Sequence, residues 1–207
     1  INGWGQGPSY GAAINIKGYN VGGQSPTNSQ AVFQNCIIED NDGHGPTVYI
    51  EGGMGIFRDC VIRNNRREYE MNVEIPGGAF SVASQNFGAQ AGYNIGVLVL
   101  DRSKVLSNFL DNTDTGSMGV ELKGAGIRVN EAWAIISNSL IADNYFTGTS
   151  TSWSRGAGIS VYNGSIALIN STISGNEGFT GNYGSGLIVN NNWNGFEGFS
   201  RDLIILN

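Results

Sequence analysis

Four stretches of the chain share one pattern of apolar and polar positions: VFQNCIIEDN, IFRDCVIRNN, IISNSLIADN and ALINSTISGN. Two more copies emerge when the chain is aligned on the last asparagine of each stretch. The aligned asparagines are Asn41, Asn65, Asn108, Asn144, Asn176 and Asn207. Apolar residues lie eight and three positions before each of them, and the residue five positions before is small in every copy except at Asp202. The chain therefore consists of six sequence repeats.

A second block precedes each stretch and reads GAAINI, PTVYI, GAFSV, GAGIRV, GAGISV or GSGLIV. Apolar residues alternate here with period two, which is typical of a strand with one buried face. Each repeat is thus predicted to be strand, turn, strand, turn, strand. The aligned asparagines are 24 to 43 residues apart, so loops of variable length are inserted into a constant unit. This combination predicts a solenoid, in which equivalent residues stack about 4.8 Å apart.

Asparagine and aspartate recur at two turn positions of the repeat. Their side chains can bond backbone groups and the equivalent side chain of the next coil. We expect a structural ladder formed by Asn35, Asp59, Asn138, Asn170, Asn41, Asn65, Asn108, Asn144 and Asn176. The small residues that precede the aligned asparagines by five positions include Cys36 and Cys60. They are predicted to face the core on neighbouring coils, where a disulfide and two buried thiols both remain open.

This pattern resembles the right-handed parallel β-helix of the pectin-lyase-like superfamily. The GAGI and F-x-N elements are similar to the repeats of polymorphic outer-membrane-protein-type adhesins. The resemblance covers residues 1–207 as a single all-β domain of about six coils with loop insertions, and it implies an extracellular or cell-surface location. Neither end shows an amphipathic helix that would cap the core. We therefore expect a segment of a longer β-helix or a subunit that stacks end to end.

Composition narrows the range of partners. The chain has 207 residues, 32 glycines and only 14% charged residues, which disfavours a helical protein. Its net charge of -6 argues against nucleic acid and against an anionic membrane surface as partners. No run of about 18 apolar residues is present, so no transmembrane helix is expected.

Catalytic carboxylates are scarce where the resemblance would place them, on the outer face of the first sheet. Among the outward columns of that sheet, only Glu51 is acidic. A glycosidase needs two carboxyl groups roughly 5–10 Å apart, and a calcium-assisted lyase needs several oxygen ligands. An active site would therefore have to be in the loops, where Asp111, Asp114 and Asp143 are the candidates for an acid/base pair or a weak structural calcium site. The alternative is a solvated acidic loop, and no other cofactor is predicted.

Ligand binding has two sets of candidates. Arg66 and Arg67, together with Arg63, can bind a uronate or sulfate through bidentate contacts, although pairing with nearby acids is the alternative. Trp133 and Trp193 follow equivalent strands two coils apart, about 10 Å along the axis, and Trp153 lies between them. Exposed indoles can stack on sugars or pack on a partner, whereas the alternative is that each one covers the core beneath its loop.

Two glycosylation sequons lead to opposite expectations. Asn163 lies in a turn and is a candidate for a glycan, whereas Asn170 is expected to use its amide in the ladder. Three functions remain open. The favoured one is a non-catalytic extracellular or cell-surface segment of an adhesin, stalk or filament, whose partners would be glycans or further copies of itself. The others are a polysaccharide lyase or glycoside hydrolase with a loop-borne site, and a carbohydrate-binding module.

Overall fold

The chain folds as a parallel β-helix. The computed structural model describes residues 13–18, 29–68, 77–86, 93–112, 121–148, 153–178, 184–191 and 202–206. Over these ranges every regular element is a strand, and four parallel sheets run along the stack. The predicted all-β solenoid is confirmed.

Successive coils supply neighbouring strands to each sheet. The first sheet contains Ile14–Lys17, Val48–Glu51, Phe80–Ala83, Ile127–Asn130, Ile159–Tyr162 and Leu187–Asn190. The second contains Gln30–Gln34, Met54–Arg58, Val97–Asp101, Trp133–Ser137, Ser165–Ile169 and Leu203–Leu206. The third contains Ile37–Glu39, Val61–Arg63, Lys104–Leu106, Leu140–Ala142 and Thr172–Ser174. The fourth contains Asp42–Gly43, Arg66–Glu68, Phe109–Asn112 and Tyr145–Gly148.

Two short pairings complete the strands. Glu121–Lys123 pairs in parallel with Trp153–Arg155, and Gln85–Asn86 pairs antiparallel with Tyr93–Asn94. The sequence predicted three strands per coil, so the fourth sheet is an addition. Its strands follow the aligned asparagine and share no common apolar pattern. Together with the Glu121–Lys123 pairing, the fourth sheet encloses a second small core, which consists of Leu110, Leu122, Ala125, Phe146 and Ala157.

The main core runs along the axis as stacked columns of equivalent residues. One column of the second sheet contains Phe33, Phe57, Leu100, Ile136 and Leu168, all in register. The rings of Phe33 and Phe57 are stacked with centroids 4.7 Å apart. Because each coil places its apolar residues over those of the previous coil, the buried surface is continuous, and its burial is the main favourable contribution to folding.

Left-handed backbone conformations form the corners of each coil. Between the second and third sheets these residues are Asn35, Asp59, Arg102, Asn138 and Asn170, with φ between 46° and 55°. Between the third and fourth sheets they are Asp40, Asn64, Ser107, Asp143 and Gly175, with φ between 53° and 61°. Asparagine, aspartate and glycine tolerate this region better than other residues do. The recurrence of Asn and Asp at these positions therefore has a backbone cause.

An internal ladder of asparagine side chains joins the coils just after the second corner. In this ladder Nδ2 of each asparagine donates to Oδ1 of the next, with distances of 2.8, 2.8, 3.0 and 2.9 Å from Asn41 through Asn176. The same Oδ1 atoms accept the backbone N–H of the previous asparagine at 3.0 to 3.1 Å. Asn65, Asn108 and Asn144 are completely buried. Their amides also donate to backbone carbonyls, so these buried polar groups are well satisfied.

The residues of the ladder that the sequence predicted form two separate rows, one on the surface and one inside the coils. Asn35, Asn138 and Asn170 lie at exposed corners, and Asp59 is half-buried beside them. Their links are on the surface: Asn170 donates to Asn138 Oδ1 at 2.8 Å, and Arg102 pairs with Asp59 at 2.8 Å. Only the set from Asn41 to Asn176 is internal, because only that position turns its side chain toward the axis.

A second internal ladder explains the small residues. The Oγ atoms of Ser103, Ser139 and Ser171 accept the backbone N–H of the equivalent residue in the previous coil at 3.0 to 3.1 Å. Each hydroxyl also donates to the carbonyl two residues before it. Cys60 is buried and Cys36 packs against the core, as expected, and both are free thiols.

The GAG motif gives room to the asparagine ladder. A Cβ on Gly126 would lie 3.1 Å from the Asn144 side chain and 2.6 Å from the carbonyl oxygen of Gly158. A Cβ on Gly158 would meet Asn176 at 2.9 Å in the same way. These glycines belong to a column that the alternation pattern placed on the outside. The alternation fails there because the residues precede their strands and lie in a corner.

The alignment of the sixth repeat is wrong. It placed Ile204 in the third-strand column, but Ile204 pairs with Ala167 in the second sheet. Ile205 pairs with Leu168 and takes the position assigned to Phe199, while Phe199 and Asn207 lie outside the described residues. A short apolar run such as LIIL fits several columns equally well, so its register depends on the length of the preceding loop.

We expect Asn108→Ala to lower the free energy of unfolding by about 2–4 kcal/mol, because it leaves buried partners on two neighbouring coils unsatisfied. Chemical denaturation followed by circular dichroism measures the change. Asn41→Ala is the matched control in the same column. It lies at the half-buried end of the ladder, and its loss should be clearly smaller. Equal losses for the two variants would show that the ladder does not contribute through burial.

Candidate functional site

The outer face of the first sheet has the register that the sequence indicated. Asn15, Tyr49, Ser81, Arg128, Ser160 and Ile188 form one column. Tyr49, Ser81, Arg128 and Ser160 are nevertheless buried, which the sequence did not predict. Glycine turns approach this column: a Cβ on Gly77 would lie 3.1 Å from Cβ of Arg128. Glu51, in the adjacent column, pairs with Lys17 at 3.2 Å. This part of the face is therefore covered.

The candidate catalytic carboxylates that the structure describes occupy different parts of the coil. Asp111 lies on the outer face of the fourth sheet, where it pairs with Arg66 at 2.7 Å and accepts a 2.8 Å hydrogen bond from the Thr147 hydroxyl. Asp143 occupies an exposed left-handed corner, and Asp114 lies outside the described residues. Over the described ranges, no group of three or more His, Cys, Asp or Glu residues is close enough to hold a metal ion.

The basic candidates are divided between the surface and the interior. Arg66 is surrounded by Asp111, Asp42 and Glu68, with nitrogen–oxygen distances of 2.7, 3.2 and 3.7 Å. The hydrogen bond to Asp111 raises the pKa of Arg66 above its ordinary value.

Arg67 points inward from the fourth sheet and is buried. It donates to the carbonyl oxygens of His44 and Gly77 at 2.9 and 3.4 Å. Burial, followed by the nearby charge of Arg128, lowers its pKa to about 9, so Arg67 remains a cation at neutral pH. Arg63 pairs with Glu39 at 2.7 Å. The expected exposed basic cluster is therefore not formed, because Arg67 occupies an inner column that holds leucine and phenylalanine in later coils.

Trp133 lies on the surface of the second sheet. It begins a strand of the second sheet, and its side chain is 39% exposed on the outer face. Trp153 begins the strand that pairs with Glu121–Lys123, and Trp193 lies outside the described residues. The expected pair of Trp133 and Trp193 stays a prediction.

An apolar stripe accompanies Trp133 on the outer face of the second sheet. The residues of this stripe are in register and consist of Val32, Ile56, Val99, Ile135, Ala167 and Ile204. Val32, Ile135 and Ile204 are each at least 40% exposed. The sequence analysis did not predict this stripe. Continuous apolar runs such as VLVL and AIIS were the available sequence signal, because they place apolar residues at outward as well as inward positions of a strand.

An aromatic stack on the fourth sheet was not predicted. Phe109 and Tyr145 pack face to face, with ring centroids 5.1 Å apart and planes inclined by 8°. This pair extends the stacking of equivalent side chains to the fourth sheet, and the facing sides of the two rings cover each other. Each ring directly follows an aligned asparagine, and this was the available sequence signal.

The sequons differ from the expectation in one respect. Asn163 is buried in a left-handed turn, and its backbone N–H donates to the Asn190 carbonyl at 2.9 Å. A glycan on this side chain is incompatible with the folded state, so the proposed glycosylation site is corrected. Asn170 uses its amide in the bond to Asn138, but on the surface.

A polar cluster at the corner between the second and third sheets contains Asp101. Its carboxylate accepts hydrogen bonds from Ser137 at 3.0 Å and from Asn138 at 3.2 Å. These contacts hold the pKa of Asp101 below its ordinary value, and the hydrogen bond from Asn138 has the largest effect. Arg102 pairs with both Asp101 and Asp59, and its hydrogen bond lowers the pKa of Asp59.

Comparisons of the chain with protein-family models, with curated proteins and with solved structures give no match. The fold is therefore assigned from the strand pairing. No helix in the described part of the chain is long and apolar enough to cross a membrane.

The lowered pKa of Asp101 predicts acid sensitivity. A carboxylate with a depressed folded-state pKa stabilises the fold above its ordinary pKa of 3.8, and this contribution is lost as the pH falls through the folded value. The free energy of unfolding should therefore decline below about pH 4, and the decline should be shallower in Asp101→Asn. Urea denaturation at a series of pH values tests this.

Asn138→Gly is a control variant that removes the hydrogen bond from Asn138 to Asp101 without straining the backbone. Asn138 has φ of 51°, so glycine fits there without strain. In an Asn138→Gly background, Asp101→Asn should change the acid slope less than it does in the unaltered protein. An identical change in both backgrounds would contradict the assigned cause.

Proposed function

We propose that this chain is a rigid, non-catalytic β-helix segment of an extracellular or cell-surface protein, of the adhesin, stalk or filament kind. The observation that carries the proposal is the pair of internal ladders. Asparagine amides and serine hydroxyls connect each coil to the next along the axis, in addition to the backbone bonds of four sheets. A stack linked in this way resists bending and separation of its coils, which is the physical requirement for a spacer.

The placement of the carboxylates supports a non-catalytic role. Asp42, Glu39, Glu51, Glu68, Asp59, Asp101 and Asp111 each have a basic partner within 4 Å. A general acid needs a pKa raised toward neutrality by burial or by a neighbouring negative charge. The pKa values of Asp59 and Asp101 are instead lowered by their hydrogen bonds. The location outside the cell is supported only by the resemblance of the repeats to surface adhesins.

Trp133 favours carbohydrate binding as a second candidate function. Its indole is exposed at the edge of the apolar stripe, and exposed aromatic side chains are suited to stacking on sugar rings. This would make the segment a binding module as well as a spacer. The two functions use different parts of the molecule. The ladders lie inside the coils, whereas Trp133 lies on the outer face of the second sheet.

Mechanical unfolding tests the spacer. Single-molecule stretching of the chain should give a lower unfolding force for Asn108→Ala than for the unaltered protein. Asn15→Ala changes an exposed residue outside the ladders and should leave the force unchanged. An unaltered force in Asn108→Ala would contradict a load-carrying role for the asparagine ladder.

Activity and binding assays separate the alternatives. The intact chain should not turn over acidic or neutral polysaccharides. Turnover that is lost in Asp111→Asn or Asp143→Asn would overturn the proposal in favour of a lyase or hydrolase. Glycan binding that is lost in Trp133→Ala, without turnover, would support the binding module.

A further inference from the structure

Cys36 and Cys60 occupy equivalent positions on neighbouring coils. The strands that follow them pair in register from Ile37 with Val61 onward. The N–H of Val61 donates to the Cys36 carbonyl at 2.9 Å, which brings the two cysteine backbones together. Adjacent parallel strands are about 4.8 Å apart. This spacing lies within the Cα–Cα range of roughly 4.4–6.8 Å that a disulfide requires.

Both thiols contact the carbonyl oxygen of the residue two positions before them. Cys60 Sγ donates to the Arg58 carbonyl at 3.1 Å and also lies 3.5 Å from the Phe33 carbonyl oxygen of the previous coil. Cys36 Sγ donates to the Gln34 carbonyl at 3.3 Å. Burial raises the pKa of the Cys60 thiol. The in-register pairing of the strands that follow makes the two cysteines neighbours, with Cys36 the more exposed.

The other coils show what this position requires structurally. Ser103, Ser139 and Ser171 fill the same column with hydroxyls that bridge successive coils. A weakly hydrogen-bonding thiol is a poorer bridge than a hydroxyl. The chain has two cysteines in all, and both lie in this column on adjacent coils. A covalent bridge between them would replace the hydrogen bond that serine supplies elsewhere.

We propose that Cys36 and Cys60 are a site of disulfide formation that staples one coil to the next under oxidising conditions. The Cys36 thiolate attacks a small disulfide such as oxidised glutathione, and one glutathione leaves as its thiolate. Cys60 Sγ then attacks the Cys36 sulfur, the mixed disulfide breaks, and the second glutathione leaves. Two S–H bonds are lost, one S–S bond forms in the protein, and the two protons end on the two glutathione thiols.

The spacing of the pair along the chain gives the staple an effect on stability. A bond from Cys36 to Cys60 joins residues that lie 24 positions apart in the chain, and it reduces the freedom of the unfolded state. The oxidised protein should therefore unfold several degrees higher than the reduced protein.

The test is to incubate the folded protein with oxidised glutathione and then measure its intact mass under non-reducing conditions. The expected product has lost two hydrogens, carries no glutathione and is monomeric, with a bridged peptide that contains both cysteines after proteolysis. Its melting temperature should rise and should return on reduction. Cys36→Ser and Cys60→Ser are matched controls that restore the residue found in three other coils, so both should fold.

Three outcomes would overturn the inference. One is a stable glutathione adduct on Cys36 with no loss of glutathione. Another is oxidation that occurs only after denaturant has unfolded the chain. The third is a bridged product whose melting temperature equals that of the reduced protein. Persistence of the intramolecular product in either serine variant would show that the mass change arises elsewhere.

Discussion

In-register stacking of equivalent residues is the constraint on which the rest of this structure depends. A parallel β-helix places each residue over its counterpart in the previous coil, at the spacing of one strand. A buried polar side chain is tolerated in such a stack when its counterpart or the backbone completes its hydrogen bonds. Asparagine meets this condition, because one amide carries both donor and acceptor. The ladder from Asn41 to Asn176 shows the result.

The corners follow from the same constraint. A coil must turn sharply at the same place each time, and here it turns through left-handed residues on either side of the third sheet. Asparagine and aspartate relieve part of the strain of that conformation, although Arg102 and Ser107 also adopt it. Their side chains then stand in rows on the surface, where Arg102 pairs with Asp59 and Asn170 bonds Asn138. The surface chemistry of the corners is thus a consequence of the backbone geometry.

In-register stacking also arranges the side chains on the outer surface. The charged residues on the outside are largely engaged with one another along the stack, as Arg66 is with Asp42, Glu68 and Asp111. Aromatic residues in successive coils cover each other's faces, as Phe109 and Tyr145 do. Such neighbours hold the outer side chains in fixed positions along the stack. Trp133 and the apolar stripe are the departures from this pattern, since they leave apolar surface exposed.

The sequence by itself determined the repeat, the parallel solenoid, the register of the first sheet and of the first five strands of the second, and the inward position of the cysteines. These properties depend on period-two alternation and on equivalent columns, which a linear pattern contains. Tertiary structure alone decided the separation of the asparagines into an internal ladder and an exposed corner row, because asparagine predominates in both rows. It also decided the burial of Arg67 and Asn163, the covering of Tyr49 and Arg128, and the register of Ile204. Each of these depends on which segments lie across a face and on how much chain a loop consumes, and no local pattern records either quantity.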